Sequence, residues 1–196
     1  ERLQTALGIR DPFIVENGAA IFFPERYRGF RVAGGRCRPP YTVILLGSGY
    51  PEVRQFVDRV KGRYHLTGFG DLSAEEVSRL SGLSTEAALL AKEREFTEPF
   101  VVNDHRRIPD IIREAASAGL TVTSGGRFFH LTGSRQDKGR AVSRCTSIFA
   151  ENTDEGLITV GLGDSANDHS MLQAVDIPIL IPHPDGSFED IELLNL

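Results

Sequence analysis

Apolar positions in this chain recur at two periods, and the elements change where the period does. Phe13-Ile14-Val15 and Ala20-Ile21-Phe22-Phe23 are short apolar runs separated by the tight-turn pair Asn17-Gly18, a pattern that predicts a β-hairpin. Residues 1–8 read as the tail of a helix, and Pro24 to Pro40, rich in Arg, Gly and Pro, reads as a connector. Tyr41 to Leu46 is then a buried strand. Pro51 to Val60 carries apolar residues at helical spacing behind a proline suited to a first turn. Tyr64 to Phe69 predicts a strand. Ser73 with Glu76 three residues on is a capping box, and Ser84 starts a further helix running to about Glu95. Pro99 to Val102 predicts a strand, Ile108 to Ala118 a helix ended by Gly119, and Leu120 to Thr123 another strand. Arg127 to Leu131 alternates and closes this block.

The rhythm then changes again. Lys138 to Phe149 predicts a helix, Gly156 to Leu162 an apolar strand ending in Gly163-Asp164, Asn167 to Val175 a helix and Ile177 to Ile181 a strand. Strand, loop, helix and strand in that order imply a parallel sheet, with ligands at the carboxyl ends of its strands. Asp164 lies at such an end.

Composition narrows the function. With 196 residues, 40% hydrophobic and 25% charged, the chain can bury a core and is neither disordered nor fibrous. Its apolar runs fall well short of the ~20 residues that span a bilayer, and Glu1-Arg2-Leu3-Gln4 does not have the order of a secretion signal. Two cysteines, Cys37 and Cys145, are too few for a disulfide framework, so the expected compartment is the reducing cytoplasm. A net charge of −5 argues against a general nucleic-acid binder. From Cys145 onward the chain carries acidic residues and no Lys or Arg. That block suits a divalent cation and the more basic remainder an anionic substrate, although a solvated acidic surface has the same composition.

The densest chemistry is Gly161-Leu162-Gly163-Asp164-Ser165-Ala166-Asn167-Asp168. A carboxylate directly after a buried strand is held at the sheet rim, and a second one four residues on falls in the first turn of the next helix. Hard oxygen ligands on a rigid strand end suit Mg²⁺. Asp164 and Asp168 read equally as a turn residue and an N-terminal helix acid. Asp137-Lys138-Gly139 opens the preceding helix, and a lysine there opposes the helix dipole. A lysine near a metal-binding carboxylate would hold phosphoryl oxygens; by itself it is an ordinary surface lysine.

Taken with Glu16-Asn17-Gly18-Ala19, these two motifs resemble the haloacid-dehalogenase-like (HAD) phosphatases that carry a large α/β cap inserted after that hairpin. Within that group, three stretches resemble the mannosyl-3-phosphoglycerate phosphatase family: Pro12 to Gly18, Arg94 to Phe100 and Gly125 to Leu131. The resemblance runs over nearly the whole chain. It implies a HAD-like α/β Rossmannoid core with a parallel sheet, formed by residues 1–28 and 132–196, and an inserted α/β cap over 29–131. It further implies Asp164 as a Mg²⁺ ligand, Asp168 orienting water or the lysine, Lys138 contacting the transferring phosphoryl group, and Asn167 at the phosphate pocket. Arg94, Arg127 and His130, with Gly125 and Gly126 allowing backbone approach, become the grips for the glycerate carboxylate and the sugar. Read by themselves, Arg94 could pair with Glu95 or Glu98, and His130 could be a structural strand residue.

The implied substrate is a small phosphorylated sugar acid, converted through an aspartyl-phosphate to mannosylglycerate, a compatible solute, in a cytoplasmic pathway. Another sugar-phosphate phosphatase or a non-catalytic phospho-sugar-binding module carries the same signals. Cation-pumping ATPases share Gly-Asp-x-x-Asn-Asp but need membrane helices that this sequence lacks. The nucleophilic Asp-x-Asp of the family occurs nowhere in the chain; the expectation is that it lies upstream of residue 1.

Overall fold

The computed structural model describes residues 2–125 and 127–189. Its elements run α1 (Arg2–Ala6), β1 (Phe13–Val15), β2 (Ala20–Pro24), β3 (Arg36–Arg38), β4 (Tyr41–Leu45), α2 (Tyr50–Tyr64), β5 (Leu66–Gly68), α3 (Ala74–Ser81) and α4 (Thr85–Lys92). They continue with β6 (Glu98–Val102), α5 (Ile108–Ser117), β7 (Leu120–Gly125), β8 (Phe128–Gly133), α6 (Lys138–Glu151), β9 (Val160–Gly163), α7 (His169–Leu172) and β10 (Ile177–Leu180). The chain separates into two compact units, one of Glu1–Leu46 with Gln136–Leu196 and one of Gly47–Arg135. Among the described residues, no helix is long and apolar enough to cross a membrane.

The first unit holds the antiparallel sheet β1-β2-β4-β3 and the parallel pair β9-β10. The expected hairpin forms: Phe13 pairs with Phe22 and Val15 with Ala20. Its turn takes positive φ at Glu16, Asn17 and Gly18, a conformation for which Asn and Gly are suited. β2 is covered on both faces. Ile21 and Phe23 pack with Ile44 of β4 and with Ala141 and Ile148 of α6, while Phe22 stacks on Phe13 at 5.1 Å. The segment read as a connector contains β3, which pairs with β4 from Arg36↔Val43 to Arg38↔Tyr41. No apolar alternation announces β3, because an edge strand needs only backbone partners and its exposed arginines protect the edge. Since β4 runs along β2 and β3 along β4, residues 29–46 stay with this unit, whereas the sequence reading placed them with the inserted segment.

β9 is shorter than its apolar run, because β10 offers partners only from Val160 to Gly163. The helix expected from Asn167 begins as a 3-10 turn at Ala166–Asp168 and continues as α7. Val160, Leu162, Ile177 and Ile179 of this parallel pair are exposed.

The second unit is built on the antiparallel sheet β5-β6-β8-β7. The apolar spacing of α2 buries Val53, Phe56, Val57, Val60 and Tyr64. These pack with Phe100, Val102, Ile111, Ala115 and Leu131 in one core. α3 begins at the expected capping box, with the Ser73 N–H bonded to Glu76 and the Glu76 N–H to Ser73 Oγ. A smaller core of Phe69, Val77 and Ala88, with Phe128 against it, lies under α3 and α4.

One part of this unit is polar and buried. Glu98 has no exposed surface, and Arg54 bridges it to Asp71 at 2.6 and 2.8 Å. Burial pushes the Asp71 carboxyl up, but the Arg54 and Lys61 cations and the Gly68 N–H together bring it down to about 2, from an ordinary 3.8. A carboxylate depressed on folding stabilises the fold fully above its unfolded value and loses that contribution as pH falls through the folded one. Acid titration followed by circular dichroism should therefore show a loss of stability between pH 3.8 and about 2, reduced in Asp71→Asn. An identical acid limb in that variant would remove Asp71 from the transition.

Candidate active site

The site grows from the start of α6 and the end of β9, both in the first unit. Asp137 caps α6, its carboxylate accepting the Arg140 N–H at 2.8 Å, which leaves Lys138 as the first helical residue. The Lys138 ammonium donates to Asp168 Oδ1 at 2.5 Å and lies 3.5 Å from Asn167 Oδ1. The other Asp168 oxygen accepts the Asp164 N–H at 3.2 Å, and the Ser165 hydroxyl lies 3.1 Å from it. That hydroxyl is also 2.7 Å from Asn167 Oδ1. Asp168 is thus the hub joining the lysine, the strand end and the loop between them.

Burial pushes the Asp168 carboxyl up, but hydrogen bonds from Lys138, the Asp164 N–H and Ser165 outweigh it and hold the group below the usual carboxylate range. Ionised at neutral pH, it is an acceptor that orients Lys138 rather than a proton donor. Asp164 follows β9 directly and is exposed. Among the described residues, no group of three or more His, Cys, Asp or Glu side chains could hold a metal ion. With the Asp168 oxygens engaged, Asp164 is the carboxylate here suited to a hard cation, which would take its other ligands from elsewhere.

Glycines set how closely these pieces approach. A Cβ at Gly163 would lie 2.6 Å from Asp168 Cβ, and one at Gly139 would lie 2.1 Å from the Ser170 carbonyl oxygen. The Gly139 N–H donates to Ser170 Oγ at 3.2 Å. Gly18, at φ +89, sits so close to the Asp137 carbonyl that a Cβ would come within 2.2 Å of its oxygen. The hairpin turn and the segment after β9 are therefore both seated on the first turn of α6. Gln136 adds a bond from its amide nitrogen to the Glu16 carbonyl. Neither Ser165 nor Gln136 is singled out by the sequence reading. Ser165 had a signal in its place between Asp164 and Asn167; Gln136 had none. Gly139→Ala should force α6 off Ser170 and destabilise the unit by about 1–3 kcal/mol, the range of overpacked sites. Chemical denaturation measures this, and unchanged stability would show that the seat yields freely.

Lys138, Asn167, Asp168 and the backbone of Asp164 therefore meet within hydrogen-bonding distance. The other predicted residues lie in the second unit. The Arg94 guanidinium donates to the Ala91 carbonyl at 3.0 Å and to Thr97 Oγ1 at 3.4 Å, while the Glu98 carboxylate is occupied by Tyr50, Arg54 and the Gly70 N–H. Arg127 is exposed at the tip of the β7–β8 hairpin. His130 stands in β8 opposite Pro99 on one side and Thr123 on the other. Gly125 ends β7 opposite Phe128, and Gly126 lies outside the described residues.

No family model matches the chain. A protein of Persephonella marina named glucosyl-3-phosphoglycerate/mannosyl-3-phosphoglycerate phosphatase is 50% identical to it over 98% of this chain and 71% of that protein. The chain belongs to this phosphatase family. A mannosyl-3-phosphoglycerate phosphatase of Pyrococcus furiosus is 34% identical over 92% of this chain and 72% of its own length. The fold is similar to that of a solved HAD subclass IIB sugar phosphatase, which superposes with a TM-score of 0.55 at 14% identity, over 90% of this chain and 66% of that one. The family's members are phosphoric monoester hydrolases, and the chain spans only part of the length of each protein compared.

Proposed function

We propose that this chain carries the phosphate-handling and substrate-gripping residues of an enzyme that hydrolyses mannosyl-3-phosphoglycerate, and its glucosyl counterpart, to the glycosylglycerate and phosphate. The observation that carries the reading is the 2.5 Å bridge between Lys138 and Asp168 at the end of the strand that bears Asp164. It orients a cation with a largely buried carboxylate that also accepts the backbone N–H of Asp164. The names of the relatives supply the substrate class.

Lys138 holds the transferring phosphoryl group and balances the negative charge that develops on its oxygens. Asp168 stays ionised and fixes the direction of that ammonium. Asn167 lines the phosphate pocket from the first turn after β9. Asp164 would hold Mg²⁺, which supplies charge neutralisation at the phosphoryl oxygens when bound. Arg94, Arg127 and His130 bind the glycerate carboxylate and the sugar, with Gly125 and Gly126 leaving space for close backbone approach. The nucleophilic Asp-x-Asp, absent from these residues, belongs in this reading to the part of the relatives' length that the chain does not span. The exposed apolar side chains of β9 and β10 support that assignment, because parallel strands are ordinarily buried on both faces. Two free cysteines are in keeping with a cytoplasmic enzyme.

The test is phosphate release by the intact gene product with Mg²⁺, on mannosyl-3-phosphoglycerate, glucosyl-3-phosphoglycerate and mannose phosphates. Expected is a kcat/KM at least about tenfold higher for the two sugar acids, the discrimination that about 1.4 kcal/mol of carboxylate recognition provides. Equal rates on mannose phosphate would overturn the sugar-acid assignment, and no phosphate release from any of them would overturn the phosphatase reading.

A further inference from the structure

Around Glu98 the second unit carries a charge network anchored on one fully buried carboxylate. Its carboxylate accepts from Tyr50 Oη at 2.8 Å, from Arg54 Nη1 at 2.6 Å and from the Gly70 N–H at 2.8 Å. Arg54 continues to Asp71 and Asp58, both at 2.8 Å, and Lys61 joins the same two acids at 2.8 and 2.9 Å. Buried ion pairs such as Arg54–Glu98 contribute little net stability compared with apolar side chains of equal volume. What they provide is geometry, and here the geometry converges on one short turn.

That turn is Gly68 to Asp71. Asp71 accepts the Gly68 N–H at 3.1 Å, and Glu98 takes that of Gly70. Lys92 donates to the Phe69 carbonyl at 2.8 Å and also to that of Leu72. A side chain at either glycine would displace the network itself: a Cβ would lie 2.2 Å from Glu98 Oε1 at Gly68 and 2.7 Å from Tyr50 Oη at Gly70. The residue held between them is Phe69. Its ring meets Phe128 edge to face at 5.0 Å and 86°, and Phe128 follows Arg127 directly and pairs with Gly125.

We infer that Glu98 is a positioning residue for the substrate, acting through the clamped Phe69 ring on Phe128 and so on the hairpin tip that carries Arg127. The inference rests on the proposed role of Arg127 as a substrate grip. A charge network anchored on buried Glu98 fixes the post, the post fixes the tip, and the tip presents the guanidinium.

The test compares Glu98→Gln, Phe69→Leu and Arg127→Ala in the intact gene product, with mannosyl-3-phosphoglycerate and with p-nitrophenyl phosphate, which has no carboxylate or sugar to grip. Glu98→Gln should raise KM for the sugar acid about tenfold with kcat within about twofold, and leave p-nitrophenyl phosphate hydrolysis unchanged. Phe69→Leu should give the same pattern. Combining Glu98→Gln with Arg127→Ala should add nothing to the KM increase of Arg127→Ala alone, because both act through one guanidinium. Independent, multiplying effects would overturn the relay, as would equal slowing on both substrates with a lowered Tm, the mark of a purely structural role. Were Arg127→Ala to raise KM while Glu98→Gln left it unchanged, the relay alone would fall. An unchanged KM in Arg127→Ala would remove the grip on which the relay ends. Should Glu98→Gln not fold, Tyr50→Phe loosens one carboxylate oxygen only and should raise KM about threefold; no change would likewise overturn the inference.

Discussion

Asp164→Ala is expected to reduce Mg²⁺-dependent turnover of the intact gene product by at least about a thousandfold, the scale on which loss of a metal's charge stabilisation acts. The fold should not notice. Asp164 is exposed, and its contribution to the hydrogen bonding of the site is its backbone N–H, which alanine retains. Stability should stay within about 0.5 kcal/mol, as for other surface substitutions. Loss of activity without loss of stability is the signature of a ligand. Magnesium titration monitored by calorimetry gives a second measurement, with binding expected to weaken at least about tenfold. Retained turnover and unaltered magnesium binding would remove Asp164 from the metal site.

Lys138→Ala should behave differently, lowering kcat by at least about a hundredfold and stability as well. The ammonium contacts a carboxylate whose side chain is only 10% exposed. Removing it strands a buried charge, which costs about 2–3 kcal/mol once the partial exposure of the lysine is allowed for. The two losses can be separated. Asp168→Asn added to Lys138→Ala removes the stranded charge and should recover most of the stability while activity stays low. Recovery of both would mean that Lys138 acts only by maintaining the fold, and recovery of neither would mean that Asp168 is not the group left unpaired.

The local pattern made much of the first unit legible. The hairpin at Asn17-Gly18, the start of α6 behind Asp137 and the strand ending at Gly163 follow from turn chemistry, capping and apolar runs, all of which act over a few residues. β3 was not legible, because an arginine-rich edge strand exists only by virtue of the strand beside it. The true extents of β9 and α7 were not legible either, since the partner strand decides how many residues pair.

The site divides in the same way. Sequence alone marked candidates for chemistry, carboxylates at a strand end and a lysine misplaced at a helix start, while Arg94, Arg127 and His130 were named only by the family resemblance. It could not determine that Lys138 and Asp168, 30 residues apart, share a hydrogen bond, because nothing in a local pattern encodes a distance across the fold. Nor could it determine that Glu98, which might have answered Arg94 on a surface, is buried and committed to Arg54, Tyr50 and Gly70. Those outcomes belong to tertiary packing: where glycines let two backbones come together, side chains far apart in the chain become partners, and burial then decides which of them keep their charge.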